Sequence, residues 1–417
     1  PLPLQPSGTE LTVGIPAALH LFEDLPLWKG FFHGLGIRTV TSERYRDAVK
    51  EGRVLAEAEL CAPMTALYAH VQYLRDRCDV VFLPFYLEKK SQGKGARRQL
   101  CYYTQFAPSV GSGSPGQNGG GKVLNPLLFS LYGNLFTKAE LYRALRPLLP
   151  GGLSPFDVST AFETAVRGME EGLSRLKAVY RRETDGRDGF HVVLLGRPYT
   201  VLSGWMNKGI PETLASMGVP VFYQDMLSYT PEDVAGIDSL LKNVHWHYAA
   251  KILEAAEVTA RTPGAYPVLV TSFKCSPDSF VTDYVRQILE ARGKPYLVLE
   301  LDEHDSRLGY ETRIEAAVRA FRDHHILEES LAAEGAVSPP VHPDREPESP
   351  WTPIGKVDLR DKTILVPNWD PLSLRLVVAA VRKTGRDARL LEPSEGSIRR
   401  SLRHNSGQCT PLNIIAQ

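Results

Sequence analysis

Apolar and polar positions along this chain change period in blocks. Residues 11–15 are a short apolar run stopped by Pro16, which predicts a strand. Residues 26–35 carry Leu27, Trp28, Phe31, Phe32 and Leu35 at helical spacing and end at Gly36, predicting a helix with a glycine C-cap. A strand follows at 37–40 and a helix at 63–75. Residues 79–84 hold the continuous apolar run Val80–Leu83, as in a parallel strand covered on both faces. Helical spacing fills most of 136–182, split by the proline-bounded segment 147–155. A second series opens at 191–195, with helices predicted at 211–217, 237–256, 279–292 and 311–323 and strands at 219–223, 267–273 and 296–301. A third opens with a strand at 363–367 and a helix at 371–382.

This alternation predicts an α/β chain of successive Rossmann- or flavodoxin-like lobes with parallel sheets. The expected domains are a first lobe with a helical extension over 1–185 and a second lobe over 186–327. A Pro/Glu-rich linker follows over 328–358, then the start of a third lobe over 359–417. The third series echoes the first. Proline, amphipathic helix, glycine (Gly36, Gly385), strand and Cys-x-Pro recur in order, with Cys61 lying 45 residues after Pro16 and Cys409 42 residues after Pro367. That order predicts a duplication, and the chain reads as a fragment whose second copy is cut short.

Charge narrows the function classes. Lys and Arg number 48, as do Asp and Glu, so no basic excess points to nucleic acid or an anionic membrane. No run approaches the roughly 18 apolar residues of a membrane span. No basic-then-apolar leader opens the chain. Five spaced cysteines without such a leader point to the reducing cytoplasm. The Gly/Ser-rich segment 111–121 lacks the spacing and trailing Lys-Ser/Thr of a phosphate loop, so ATP binding by this chain is not expected.

The cysteines carry the candidate chemistry. Cys78 precedes an apolar strand and reads as a small buried hydrophobe. Cys61 and Cys275 each stand two residues before a proline that opens a helix, where the positive helix end favours thiolate. Cys101 is read in a loop ahead of Pro108. No pair has the two-to-four-residue spacing of a zinc knuckle. Ligands spread over two lobes suit a cluster in the cleft between them; three unrelated structural cysteines is the competing reading. Arg197, after the strand at 191–195, could hold an anion. His245 and His247, two apart on a predicted helix, face different sides and would not share one metal.

Several motifs together resemble a known family. They include Val13-Gly-Ile-Pro16, Cys61-Ala-Pro63, Leu100-Cys101-Tyr-Tyr, Gly196-Arg-Pro-Tyr199, Trp246-His247-Tyr248 and Ser272-Phe-Lys-Cys275-Ser-Pro-Asp278. The chain is similar over these to the 2-hydroxyacyl-CoA dehydratase superfamily, in its CoA-substrate-specific enzyme activase or activase-related branch. The resemblance implies a [4Fe–4S] cluster held by Cys61, Cys101 and Cys275. Cys409 would begin a second ligand set, giving a double cubane in the full-length protein. It also implies an ATP-hydrolysing activator of actin-like fold, in the same chain or another, that supplies a low-potential electron. The electron would serve dehydration of an acyl-CoA by a lyase-type radical reaction, or ATP-dependent reduction of a small molecule. Subunit pairing is implied too. His247 would be a proton donor and Arg197 an anion holder. Two other readings fit the same residues: a non-catalytic electron-transfer or scaffold component that docks the activator, and a small-ligand α/β module without a cluster.

Overall fold

The structure is a computed structural model. It describes residues 11–56, 60–89, 98–112, 122–128, 134–149, 152–186, 188–301, 307–333, 361–368, 370–392 and 394–397. Two compact units divide at 348/349.

The first unit contains two parallel α/β systems. The amino-terminal one runs β1 (Thr12–Ile15), α1 (His20–Gly34), β2 (Arg38–Thr41), α2 (Ala48–Ala56), α3 (Ala62–Arg75), β3 (Val80–Phe82), β4 (Phe85–Tyr86), β5 (Glu88–Lys89), β6 (Arg98–Gln99), α4 (Tyr102–Ser112), β7 (Lys122–Leu124) and β8 (Leu127–Leu128). Helices α5 (Asn134–Leu145) and α6 (Pro155–Thr184) extend it. The second runs β9 (His191–Gly196), α7 (Pro198–Val201), α8 (Ile210–Ser216), β10 (Val221–Tyr223), α9 (Asp238–Asn243), α10 (His247–Arg261), β11 (Ala265–Ser272), α11 (Ser276–Ala291), β12 (Leu297–Leu301) and α12 (Arg307–Ala333).

The main sheets have the orders β2-β1-β3-β7 and β10-β9-β11-β12, with every pairing parallel. In both, the first strand of the sheet lies between the second and the third. Chain direction therefore reverses beside that strand, at the switch point where such sheets bind ligands. β9 and β11 are wholly buried, which explains their unbroken apolar runs.

The core of the first system is aromatic. Trp28, Phe31, Phe32 and Phe82 are fully buried, with Trp28 tilted over Phe82 at 4.7 Å between centroids. Helix α6 packs on α1 at close range because Gly30 and Gly34 face Ala165 and Ala161. Its start is fixed by a capping box: the Ser154 hydroxyl accepts from the Asp157 amide, and the Asp157 carboxylate accepts from the Ser154 amide. Ser154→Ala should lower stability by about 1 kcal/mol in urea titration, the usual cost of losing an N-cap side chain.

Several predicted elements differ in extent. α1 starts at His20 rather than 26, with Pro26 inside the helix. The helix predicted over 237–256 is two helices, because Val244 and Trp246 are extended between α9 and α10. Cys101 lies outside regular structure, but it directly precedes α4, and Pro108 lies within that helix rather than after a loop. α12 continues to Ala333, so the Pro/Glu-rich composition begins while the chain is still helical. Segment 113–121 and Cys409 lie outside the described residues.

The second unit shows β13 (Thr363–Val366), α13 (Pro371–Lys383) and β14 (Asp387–Leu390), with its two strands paired in parallel. This is the same strand–helix–strand order as β1–α1–β2. Gly385 has a positive φ of 80°, as Gly36 does at 71°. Among the described residues, no helix is long and apolar enough to cross a membrane.

Candidate metal centre

Three cysteines occupy one structural position in three helices. The Cys61 carbonyl accepts from the Thr65 amide at 3.0 Å, the Cys101 carbonyl from Gln105 at 3.0 Å and the Cys275 carbonyl from Ser279 at 3.1 Å. Each therefore makes the first backbone bond of its helix, α3, α4 and α11. Proline follows two residues after Cys61 and Cys275 because the second helical position needs no amide donor. Lys274 takes a left-handed φ of 66° just before Cys275, turning the chain from the end of β11 into α11. Each sulfur thus stands at the positive end of a helix dipole.

The three thiols share one electrostatic neighbourhood. Burial pushes the Cys61 thiol up to about 11, and the charge of Cys101 adds to that. Burial likewise raises Cys275 well above the ordinary thiol range, and Cys61 is among the groups acting on it. Arg197 and Tyr199 each feel both Cys101 and Cys275. All three cysteines are half-buried and free of disulfides.

Arg197 is the fixed cation at this place. It follows β9, and Cys275 follows the adjacent strand β11, so the two flank the switch point of the second sheet. Its Nε donates to Asp278 Oδ1 at 2.8 Å, with Nη2 2.7 Å from the same oxygen. Its Nη1 donates to the Tyr199 hydroxyl at 3.0 Å. Asp278 also accepts from Thr271 Oγ1 at 3.1 Å. Both members of the ion pair are buried. Burial opposes the Arg197 charge, but Asp278 outweighs it and holds the guanidinium ionised.

His247 stands elsewhere. It is the first residue of α10, and the charges acting on it are Lys89, Glu23, Lys251 and Arg98, with no cysteine among them. Burial, then Lys89, lowers it to about 3, so the imidazole is neutral at physiological pH. His245 is exposed before the same helix. Cys78 is partly buried and donates to the Leu74 carbonyl at 3.1 Å, a packing role; its sulfur lies against Gly14.

The groups that hold Arg197 fell inside the motifs read from the sequence, but their role beside it was not legible there. Asp278 was visible as the acid in the first turn of a helix opened by Cys-Ser-Pro, where a carboxylate suits the dipole. Tyr199 and Tyr248 fell in the Gly-Arg-Pro-Tyr and Trp-His-Tyr motifs, but a buried tyrosine reads as core, so their contact with Arg197 was not read from them. Tyr248 is 1% exposed, meets Tyr199 edge-on at 5.8 Å and lies under the Arg197 guanidinium at 5.6 Å.

The donor set suits a group larger than one ion. Among the described residues, no three His, Cys, Asp or Glu are gathered as the ligands of a single metal. Three soft thiols that share one electrostatic neighbourhood suit the soft iron of a polynuclear cluster. Burial keeps the free Cys61 and Cys275 thiols protonated. Bound metal would take their place as the counter-charge, helped by three helix ends and Arg197.

Residues 12–227 match a family described as CoA enzyme activase uncharacterised domain. The match includes Cys61, Cys101 and Arg197 and ends before Cys275. No curated protein and no solved structure matches the chain.

Proposed function

We propose that this chain, which belongs to the CoA enzyme activase family, binds a [4Fe–4S] cluster through Cys61, Cys101 and Cys275 and serves low-potential electron chemistry. The observation that carries the reading is the shared placement of the three thiols, each at a helix amino end and all beside buried Arg197. Three thiolates leave one position of such a cluster free of protein ligands, and when bound it would supply both the electron and a Lewis-acid site.

The chain's own residues do the rest. The amino ends of α3, α4 and α11 and the Arg197 guanidinium offset the negative charge of thiolates and sulfide. Asp278 and Tyr199 fix the guanidinium plane, so this compensation requires little rearrangement when an electron arrives. An ATP-hydrolysing activator is the proposed electron source, acting in the same chain or separately. The accepted electron would go to an acyl-CoA or to a small reducible molecule.

Anaerobic reconstitution with iron and sulfide tests this. Iron and sulfide assays with EPR of the reduced protein should show a cluster in the wild type and in Cys78→Ser, and none in Cys275→Ser. A colourless, iron-free wild type would overturn the reading. Turnover with activator, ATP and reductant then separates an enzyme from an electron carrier.

A further inference from the structure

A cavity lies where the two α/β systems of the first unit meet. It measures about 350 Å³, toward the small end of the range for small-molecule sites. Ser272 and Leu301, the last residues of β11 and β12, form part of its wall, so it sits at the carboxyl edge of the second sheet. Val49 of α2 and Ala62, the first residue of α3, bring the first system to the same cavity.

The charge on this lining is one-sided. Arg46, Lys50 and Arg53 reach it from α2 and the residues just before, and Lys208 from the second system; Asp47 is the one acid among the described lining residues. Arg46, Lys50 and Lys208 have no carboxylate partner among the described residues. A single exposed cation contributes little, but several converging on a cleft focus their field into it. The inner wall asks for the same kind of ligand. Ser272 is 5% exposed, and its Oγ is buried without a hydrogen-bond partner among the described residues. Nε1 of Trp205, another lining residue, is likewise buried and unpartnered. An indole N–H can only donate, and a serine hydroxyl donates readily. Cations outside and spare donors within suit a ligand that offers acceptors and negative charge.

We infer that this cavity binds a small phosphorylated ligand. Its phosphate oxygens accept from Ser272 Oγ and Trp205 Nε1, and its charge is held by Arg46, Lys50 and Lys208. Both donor atoms are closed to water, so binding includes a small side-chain rotation that turns them to the ligand. The inference does not rest on the cluster reading: no cysteine is among the described lining residues, and its test needs no iron.

Pyrophosphate is the probe. Calorimetric titration of the full, metal-free chain at low ionic strength should give one saturable site, weakened roughly tenfold or more by molar salt. Ser272→Ala and Lys208→Ala should each weaken it about threefold to tenfold, the worth of one hydrogen bond. Lys242→Ala removes an exposed cation of α9 that does not line the cavity, and should leave binding unchanged. An unchanged thermal unfolding midpoint would show that the losses are local. Lys50→Ala is an exposed change on α2 that the fold should tolerate, so it carries the test if Ser272→Ala unfolds. No saturable binding by the wild type, equal losses in Lys242→Ala and Lys208→Ala, or full binding by a folded Ser272→Ala would overturn the proposal.

Discussion

Glu23→Gln should cost at least about 3 kcal/mol of stability, because it leaves buried lysines without their shared partner. Glu23 sits in the first turn of α1, and its carboxylate accepts from Lys89 of β5, from the Tyr248 hydroxyl at 3.0 Å and from Lys251 at 3.0 Å, the last two on α10. It therefore ties the first α/β system to the second, the two that supply the cysteines. Burial alone would raise its pKa, but Lys89 and then Lys251 outweigh burial and hold it well below 4.5. Neighbouring Asp24 moves the other way: burial raises it, and its ammonium partner Lys89 is shared with Glu23. Of the two carboxylates, Glu23 is the one held more firmly ionised.

The sign of the pH effect follows. A carboxylate depressed in the folded state stabilises fully above its unfolded pKa, and that contribution is lost as pH falls through the folded value. Urea unfolding at pH 7 should show a lower midpoint for Glu23→Gln with the same slope. The gap from wild type should narrow as the pH is taken below 4.5. A gap under about 1 kcal/mol at pH 7 would mean that water screens the cluster of charges. Tyr248→Phe removes one hydrogen bond from the same carboxylate and should cost only about 1 kcal/mol.

This charge cluster shows where sequence reading stops. β1, α3, β9, β11 and α11 were legible because each buries a continuous or periodic apolar face, and periodicity is a local property. Cys61 and Cys275 were legible for the same reason: proline two residues on marks a helix start. Cys101 was harder. Pro108 suggested a loop, yet α4 passes through it, and only the fold shows that all three cysteines open helices. The break between α9 and α10 was hidden because apolar spacing continues across it. What lies at that break is long-range: the Gln99 amide donates to the His245 carbonyl at 2.7 Å. Glu23, Lys89 and Lys251 are charged residues that sequence pattern assigns to solvent. Their burial depends on contacts between residues up to 228 positions apart.

Gly196→Ala should be strongly damaging near the cysteines. Gly196 closes β9 with φ at 150°, a backbone that a side chain disfavours. A Cβ there would overlap the Val270 carbonyl of the neighbouring strand β11 and come within 2.7 Å of Val201 Cγ1. Neither can yield easily. Val270 lies mid-strand, paired with β12 on its other side, and Val201 is fully buried in α7. The disfavoured backbone costs about 1–3 kcal/mol, and overpacking a further ~1–3 kcal/mol. The displacement also falls where it matters for chemistry. Arg197 is the next residue, and Cys275 stands just past the end of β11, so pushing the two strands apart separates the guanidinium from Asp278 and from the thiol of α11. Urea titration should show the loss of stability. Iron content after anaerobic reconstitution should fall further in Gly196→Ala than in Ser154→Ala, which weakens the fold away from the cysteines. Equal iron content in the two variants would mean that Arg197 does not need this placement for the cluster to load.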